Sequence, residues 1–172
     1  MRLVLVLLVL ACGPAQAQTP PGWQIGTGAA LAAAGGHAYA GGTAAVEGRA
    51  SRRLWVGVRA AQFVGPLADV DCFDRCARIE QRWTSAEGTV AAEAVSGGMA
   101  LHATLGAGGS VMVGANGVTR EDRRVVPMLS AGVGLDVYPV RRVGVGVWVD
   151  AVARSLAPGA QVSAGLRVQL GG

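Results

Sequence analysis

Lysine is absent from the chain, and all fifteen basic residues are arginines scattered along the sequence. Charged residues make up only 15% of the chain, well below the share in ordinary globular proteins, about 25%. A nucleic-acid-binding surface needs basic residues gathered on one face, so we expect no nucleic acid partner. A surface that faces water needs many charges of both signs, and this sequence does not supply them.

Long apolar runs are also missing, except at the start of the chain. Arg2 is followed by an apolar run from Leu3 to Ala11 and then by Ala15-Gln16-Ala17, a small-x-small cleavage site. The run is too short to span a bilayer, which takes about 20 apolar residues. The order predicts a secretory signal peptide over residues 1–17 and a single domain over residues 18–172. An alternative cut before Cys12 would leave a lipoprotein with its lipid on that cysteine.

Helical periodicity is lacking after residue 18, and an alternation of period two takes its place. The last segment is the clearest case, with Val162, Leu166 and Leu170 on one face and Ser163 and Arg167 on the other. We predict eight strands of about ten residues, near 23–33, 37–48, 54–61, 89–95, 99–106, 129–138, 143–150 and 161–170. Short turns at 49–53, 96–98 and 139–142 alternate with longer loops at 65–78, 114–124 and 155–160, while the first loop, at 34–36, is short.

The two faces of these segments differ in kind. One is built of Val, Leu, Ala and Ile without charges, and the other is mostly Gly, Ala, Ser and Thr with scattered charges. The uncharged face suits hydrocarbon better than water. The sequence therefore predicts an all-β fold, an eight-stranded antiparallel up-and-down transmembrane β-barrel in the outer membrane of a Gram-negative-type bacterium.

The few charged residues of the strands fall on the face that would point inward. They are Glu47, Arg59, Glu93, His102, Asp136, Asp150 and Arg167. An eight-stranded barrel is just wide enough for its side chains to fill, and ionised groups in such an interior need partners. We predict a lumenal network in which Arg59 and Arg167 contact two or more of the carboxylates. The alternative is a proton pathway or a gate for a small solute.

Eight alternating strands joined by short and long connections in turn resemble the small outer-membrane barrels of the OmpA/OmpX type. The resemblance covers nearly the whole mature chain and is one of architecture. It implies a non-enzymatic, monomeric protein held in outer-membrane lipid, with a structural or surface-interaction role in the cell envelope and no cofactor. The chain departs from the pattern at its end, because residues 168–172 read Val-Gln-Leu-Gly-Gly where such barrels carry a terminal aromatic residue.

Two other functions fit the same strands. Some small outer-membrane barrels are lipid A acylases or deacylases that use serine and histidine, which here would be His102 with Ser110 or Ser130. The spacing of these residues does not require such a pairing. A soluble periplasmic ligand-binding barrel would use the same alternation with its apolar face turned inward.

The loop at 65–78 is the most individual segment of the chain. Cys72 and Cys76 are the two cysteines left after signal cleavage, and in an exported protein such a pair favours a disulfide. Around them lie Asp69, Asp71 and Asp74, an incomplete ligand pattern for a cation. We expect no metal site, and a rigid loop tip that contacts a surface protein or ligand.

Overall fold

The structure is a computed structural model that describes residues 22–34, 37–65, 80–96, 98–115, 122–140, 142–154 and 161–172. Eight antiparallel strands close into one barrel, each paired with its neighbours in sequence and the last with the first. The strands are β1 (Trp23–Ala34), β2 (His37–Ser51), β3 (Leu54–Val64), β4 (Glu80–Ser96), β5 (Met99–Ala115), β6 (Asp122–Val140), β7 (Val143–Arg154) and β8 (Gln161–Gly171). The predicted fold class is confirmed.

The prediction of strands about ten residues long was wrong for three of them. β4 and β5 each have 17 residues and β6 has 19. β5 and β6 pair as far as Gly114 and Asp122, while the pairing of β6 with β7 begins only at Met128. These strands therefore extend past their neighbours as a ribbon, and both ends of the predicted loop at 114–124 belong to it. Within this ribbon Ser110 and Val126 lie opposite each other in register, and both are buried.

The two ends of the barrel differ in their connections. The chain enters at Trp23 and leaves at Gly171 on the same side as three tight turns, between β2 and β3, β4 and β5, and β6 and β7. Gly98 has a φ of 80° in the middle turn, a conformation that favours glycine. The strand register shifts beside the other two turns, between Arg49 and Ser51 and between Val137 and Val140. We call this side the short-turn rim.

The faces of the strands lie as predicted. In the part of the chain that the structure describes, twenty-five large apolar side chains are exposed, among them Leu31, Leu105, Leu129 and Leu166 at 64–68%, and they surround the barrel. Trp55, Trp148 and Tyr138 are buried inside, whereas Trp23 is exposed at the short-turn rim. Among the described residues, no helix is long and apolar enough to cross a membrane.

Candidate functional site: the lumenal charge network

All seven residues predicted for the lumen are turned inward by the strands that carry them. Glu93, His102, Asp136 and Asp150 are buried, and Glu47, Arg59 and Arg167 are partly buried. Alternation along a strand places every second side chain on the same face. The structure adds which of these groups meet, and they form two clusters at different heights in the barrel.

Arg59 is the centre of the upper cluster. Its Nε donates to Glu87 Oε1 at 2.6 Å, and its Nη1 donates to Asp150 Oδ2 at 2.5 Å. The Ser130 hydroxyl donates to the second oxygen of Glu87 at 2.6 Å. One guanidinium thus holds a carboxylate on the adjacent strand and one across the lumen, because Glu87 pairs with Arg59 in register on β4 and Asp150 lies on β7, four strands from β3. Charge-assisted bonds of this kind are roughly twice as strong as neutral ones.

Asp136, with no exposed surface, is the centre of the lower cluster. Arg167 donates to it from Nε, at 2.8 Å from Oδ1, and from Nη2 to Oδ2. His102 Nε2 lies 2.7 Å from the same Oδ2 and 3.9 Å from Glu93 Oε1. His102 therefore lies between this pair and Glu93. The arrangement satisfies a fully buried carboxylate with a planar bidentate partner.

Glu93 and Glu47 complete the lumen toward the short-turn rim. Arg49 Nη2 donates to Glu93 Oε2 at 2.9 Å, and the same guanidinium lies 4.6 Å above the Trp55 ring. Glu47 accepts a hydrogen bond from Gln24 Nε2 at 2.6 Å. It also lines a cavity of about 30 Å³ together with Arg59 and Arg167, large enough for a water or two. A second cavity, of about 20 Å³, lies on the other side of Arg59.

Space for the carboxylates comes from glycines on the neighbouring strands. In the strand register each of four acids lies directly opposite a glycine, as Glu47–Gly57, Glu87–Gly108, Asp136–Gly146 and Asp150–Gly132. A Cβ on Gly132 or Gly146 would collide with the carboxylate of the facing acid, and a Cβ on Gly57 or Gly108 would collide with a backbone carbonyl and with the first carbons of the facing acid. Gly146 lies between Asp136 and Arg167 in register, so the pair closes over it. The many glycines of the inner face thus make the ion pairs possible.

Sequence reasoning missed several members of the network. Glu87 lay outside the predicted strand, which began at residue 89, and Arg49 was assigned to the turn at 49–53. Glu87 is an even number of residues from Glu93, and Arg49 from Glu47, so each lies on the same face as a predicted lumenal residue. Extending the predicted strands by a few residues would have placed both in the lumen.

An aromatic layer packs inside the lumen. Tyr39, Phe63, Trp83 and Trp148 are buried together there, and the rings of Tyr39 and Trp83 are 4.2 Å apart. Arg154 lies 4.6 Å above the Trp83 ring and donates to Gln161 Oε1 at 2.5 Å. Ion pairs and aromatic rings therefore fill the barrel at successive heights.

The serines do not meet the histidine. Ser130 pairs with Gly106, four residues along β5 from His102, and Ser110 is eight residues along the same strand. At about 3.3 Å per residue these separations are about 13 Å and about 26 Å. Neither serine is within hydrogen-bond reach of His102, so the described residues do not form the serine–histidine pair that the lipid-modifying alternative needs.

The remaining predicted features lie outside the described residues. These are the signal peptide with Cys12, the cysteines Cys72 and Cys76, and the acids Asp69, Asp71 and Asp74. Within the described ranges, no group of three or more histidine, cysteine or acidic side chains could hold a metal ion.

The closed barrel with an apolar exterior and a filled, charged lumen resembles several solved structures. The N-terminal barrel domain of OprF from Pseudomonas aeruginosa matches with a TM-score of 0.57 and 14% identity, over 90% of this chain and 98% of that one. The chain has the fold of the small outer-membrane barrels. No protein-family model matches the sequence, and no curated protein matches it either.

Two further structures share this fold. Neisserial surface protein A matches with a TM-score of 0.64 and 8% identity, over 86% of this chain and 94% of that one. Ail, the attachment invasion locus protein of Yersinia pestis, matches over the same shares with a TM-score of 0.57 and 15% identity. Its structure contains the heparin analogue sucrose octasulfate. These similarities confirm the fold that the OmpA/OmpX-type resemblance implied.

Proposed function

We propose that this protein is a non-enzymatic outer-membrane β-barrel with a closed interior, serving a structural or surface-interaction role in the cell envelope. One observation carries the proposal: large apolar side chains cover the outside of the barrel, while the charged side chains of its central section point inward. A soluble protein rarely exposes an apolar patch of more than a few hundred Å². Here such side chains surround the whole barrel, which is the arrangement that lipid stabilises.

The lumenal network supports a structural interior rather than a wide pore. The Arg59 cluster, the Asp136 cluster and the aromatic layer each cross the lumen, and the cavities around Arg59 are about 20 and 30 Å³. We propose that the ion pairs hold opposite sides of the barrel together. Planar bilayers that contain the protein should therefore show no large, stable conductance, and such channels would contradict the closed interior.

The loop at 65–78 is the proposed contact surface of the protein. A bridge between Cys72 and Cys76 would stiffen its tip, and the tip would meet a surface protein or ligand outside the cell. The complex of Ail with a heparin analogue shows that a barrel of this fold supports ligand binding. We also propose that residues 1–17 direct export and are removed, and that the barrel is a monomer.

Membrane fractionation with heat-modifiable gel migration tests the central proposal. The folded barrel should fractionate with the outer membrane and migrate differently before and after boiling, because a closed barrel resists the detergent until heated. Recovery in the soluble periplasmic fraction would refute the proposal and favour the soluble ligand-binding barrel.

The lipid-modifying enzyme has a separate test. Lipid A from cells that express the protein should have the same mass as lipid A from cells that express the His102→Ala variant. An acylation or deacylation present with the first and lost with the second would contradict the non-enzymatic proposal. The separation of His102 from both serines is the reason to expect no difference.

A further inference from the structure

At the short-turn rim, basic and acidic side chains lie in different places. Arg52 and Arg53 on the β2–β3 turn and Arg142 on the β6–β7 turn are exposed. The acids nearest this rim, Glu47, Glu93 and Asp136, point into the lumen. Among the described residues of this rim, every exposed charged side chain is therefore an arginine.

The arginines lie on opposite sides of the barrel. The β2–β3 and β6–β7 turns are four strands apart in a closed barrel of eight, so no single point on the circumference collects the charge. Arg141 adds a further arginine to the second turn in the sequence. The result is positive charge spread around the rim.

The backbone of the rim is tied to the barrel. Glu93 N–H donates to Arg53 O at 2.8 Å, and Gly171 N–H donates to Arg142 O at 2.9 Å. Arg49, itself paired with Glu93, donates from Nη1 to Arg52 O at 3.0 Å. These bonds hold both turns to the ends of the neighbouring strands. The arginines are therefore presented on turns fixed to the barrel, not on mobile extensions.

Trp23 indicates the depth of the short-turn rim in the bilayer. Its side chain is 51% exposed on the outer face at the first residue of β1, next to the C-terminal Gly172. Tryptophan collects where hydrocarbon meets lipid headgroups. If Trp23 lies at this boundary, the neighbouring turns lie at the depth of the phosphates, where arginine is attracted to anionic lipid.

We infer that the short-turn rim binds anionic phospholipid headgroups, with Arg52, Arg53 and Arg142 as the contacts that concentrate these lipids around the barrel. This inference rests on the proposed membrane location. The inference adds a preference for anionic lipid and assigns it to the arginines of the short-turn rim. The long-loop end of the barrel has no part in this preference.

Trp23 also supplies the probe. The full chain is folded into vesicles of equal parts phosphatidylglycerol and phosphatidylcholine, with bromine on the acyl chains of either one lipid or the other. Bromine quenches nearby indole fluorescence. The other three tryptophans are buried in the lumen, and subtracting the signal of a Trp23→Phe variant isolates Trp23. The ratio of the two quenching values measures the lipid composition next to the rim.

We expect phosphatidylglycerol to be enriched about fivefold over phosphatidylcholine near Trp23, the factor that one arginine near an anionic surface can supply. The double variant Arg52→Gln/Arg142→Gln should lower the enrichment and leave only the part that Arg53 supplies, and Arg52→Lys/Arg142→Lys should retain it. The matched control is Arg82→Gln/Arg124→Gln, which removes the same charge from β4 and β6 toward the long-loop side and should leave the enrichment unchanged. Added salt should weaken it.

The outcomes separate this inference from the proposal beneath it. Equal loss of enrichment in both glutamine variants would show a diffuse effect of net charge and overturn the rim as the binding surface. No enrichment in a chain that inserts and shows heat-modifiable migration would overturn lipid binding alone. A chain that inserts into neither lipid would refute the membrane barrel itself, and this inference with it.

Discussion

Replacing Arg59 by glutamine removes the cation that holds two buried carboxylates in the upper lumen. Glu87 and Asp150 retain only 4% and 5% of their side-chain exposure, and both lie 2.5 Å from the guanidinium. Removing one partner of a buried ion pair leaves an uncompensated charge and costs about 3–5 kcal/mol. We place Arg59→Gln in this range, because glutamine keeps a donor but not the charge, and Ser130 can support only Glu87.

The free energy of unfolding of the barrel in lipid vesicles, followed by heat-modifiable migration across a urea series, measures this loss. The matched variant is Arg59→Gln/Glu87→Gln/Asp150→Asn, which removes the two acids as well. Buried ion pairs replaced as a set are often nearly neutral, so the triple variant should regain most of the lost stability.

Two results would refute the reasoning. If Arg59→Gln were as stable as the parent, the two carboxylates would be reaching water or protons in the lumen, and the interior would not be closed around them. If the triple variant were as unstable as the single one, the loss would come from the packing of the arginine stem and not from unpaired charge.

Three further predictions test the packing, the lipid-facing surface and the loop. Gly146→Ala should destabilise the barrel by about 1–3 kcal/mol in the same assay, because its Cβ would meet the Asp136 carboxylate, while Gly48→Ala, with no atom near the added Cβ, should be nearly neutral; equal effects would contradict the role of glycine as a source of space. Leu166→Arg, at a site 64% exposed in the middle of β8, should cost about 2–4 kcal/mol in a bilayer, and a change near zero would favour a water-facing exterior. Alkylation of the unreduced, exported protein should add no mass at Cys72 or Cys76, and alkylation after reduction should add two groups; labelling without reduction would show that the bridge is absent.

The sequence predicts the inward direction of the lumenal acids but not their partners. The parity of residues 93, 136 and 150 is enough to place them in the lumen, because a strand sends alternate side chains to opposite faces. Parity does not indicate which arginine each acid contacts. Arg59 and Asp150 are 91 positions apart and on strands four apart in the barrel. Nothing local in either segment indicates that they meet.

The sequence alone determined the eight strands, the outward direction of the apolar face and the inward direction of the charges, since each depends on residues within one segment. The tertiary structure decided the height of each side chain in the lumen, because the stagger of the strands sets it. It also decided which strands lie across from each other, because closure of the eight strands sets that. The heights of the side chains and the placement of the strands let Arg59 contact both Glu87 and Asp150. They also placed glycine opposite four acids and kept His102 away from the serines. They also set the exposed arginines of the two turns on opposite sides of one rim.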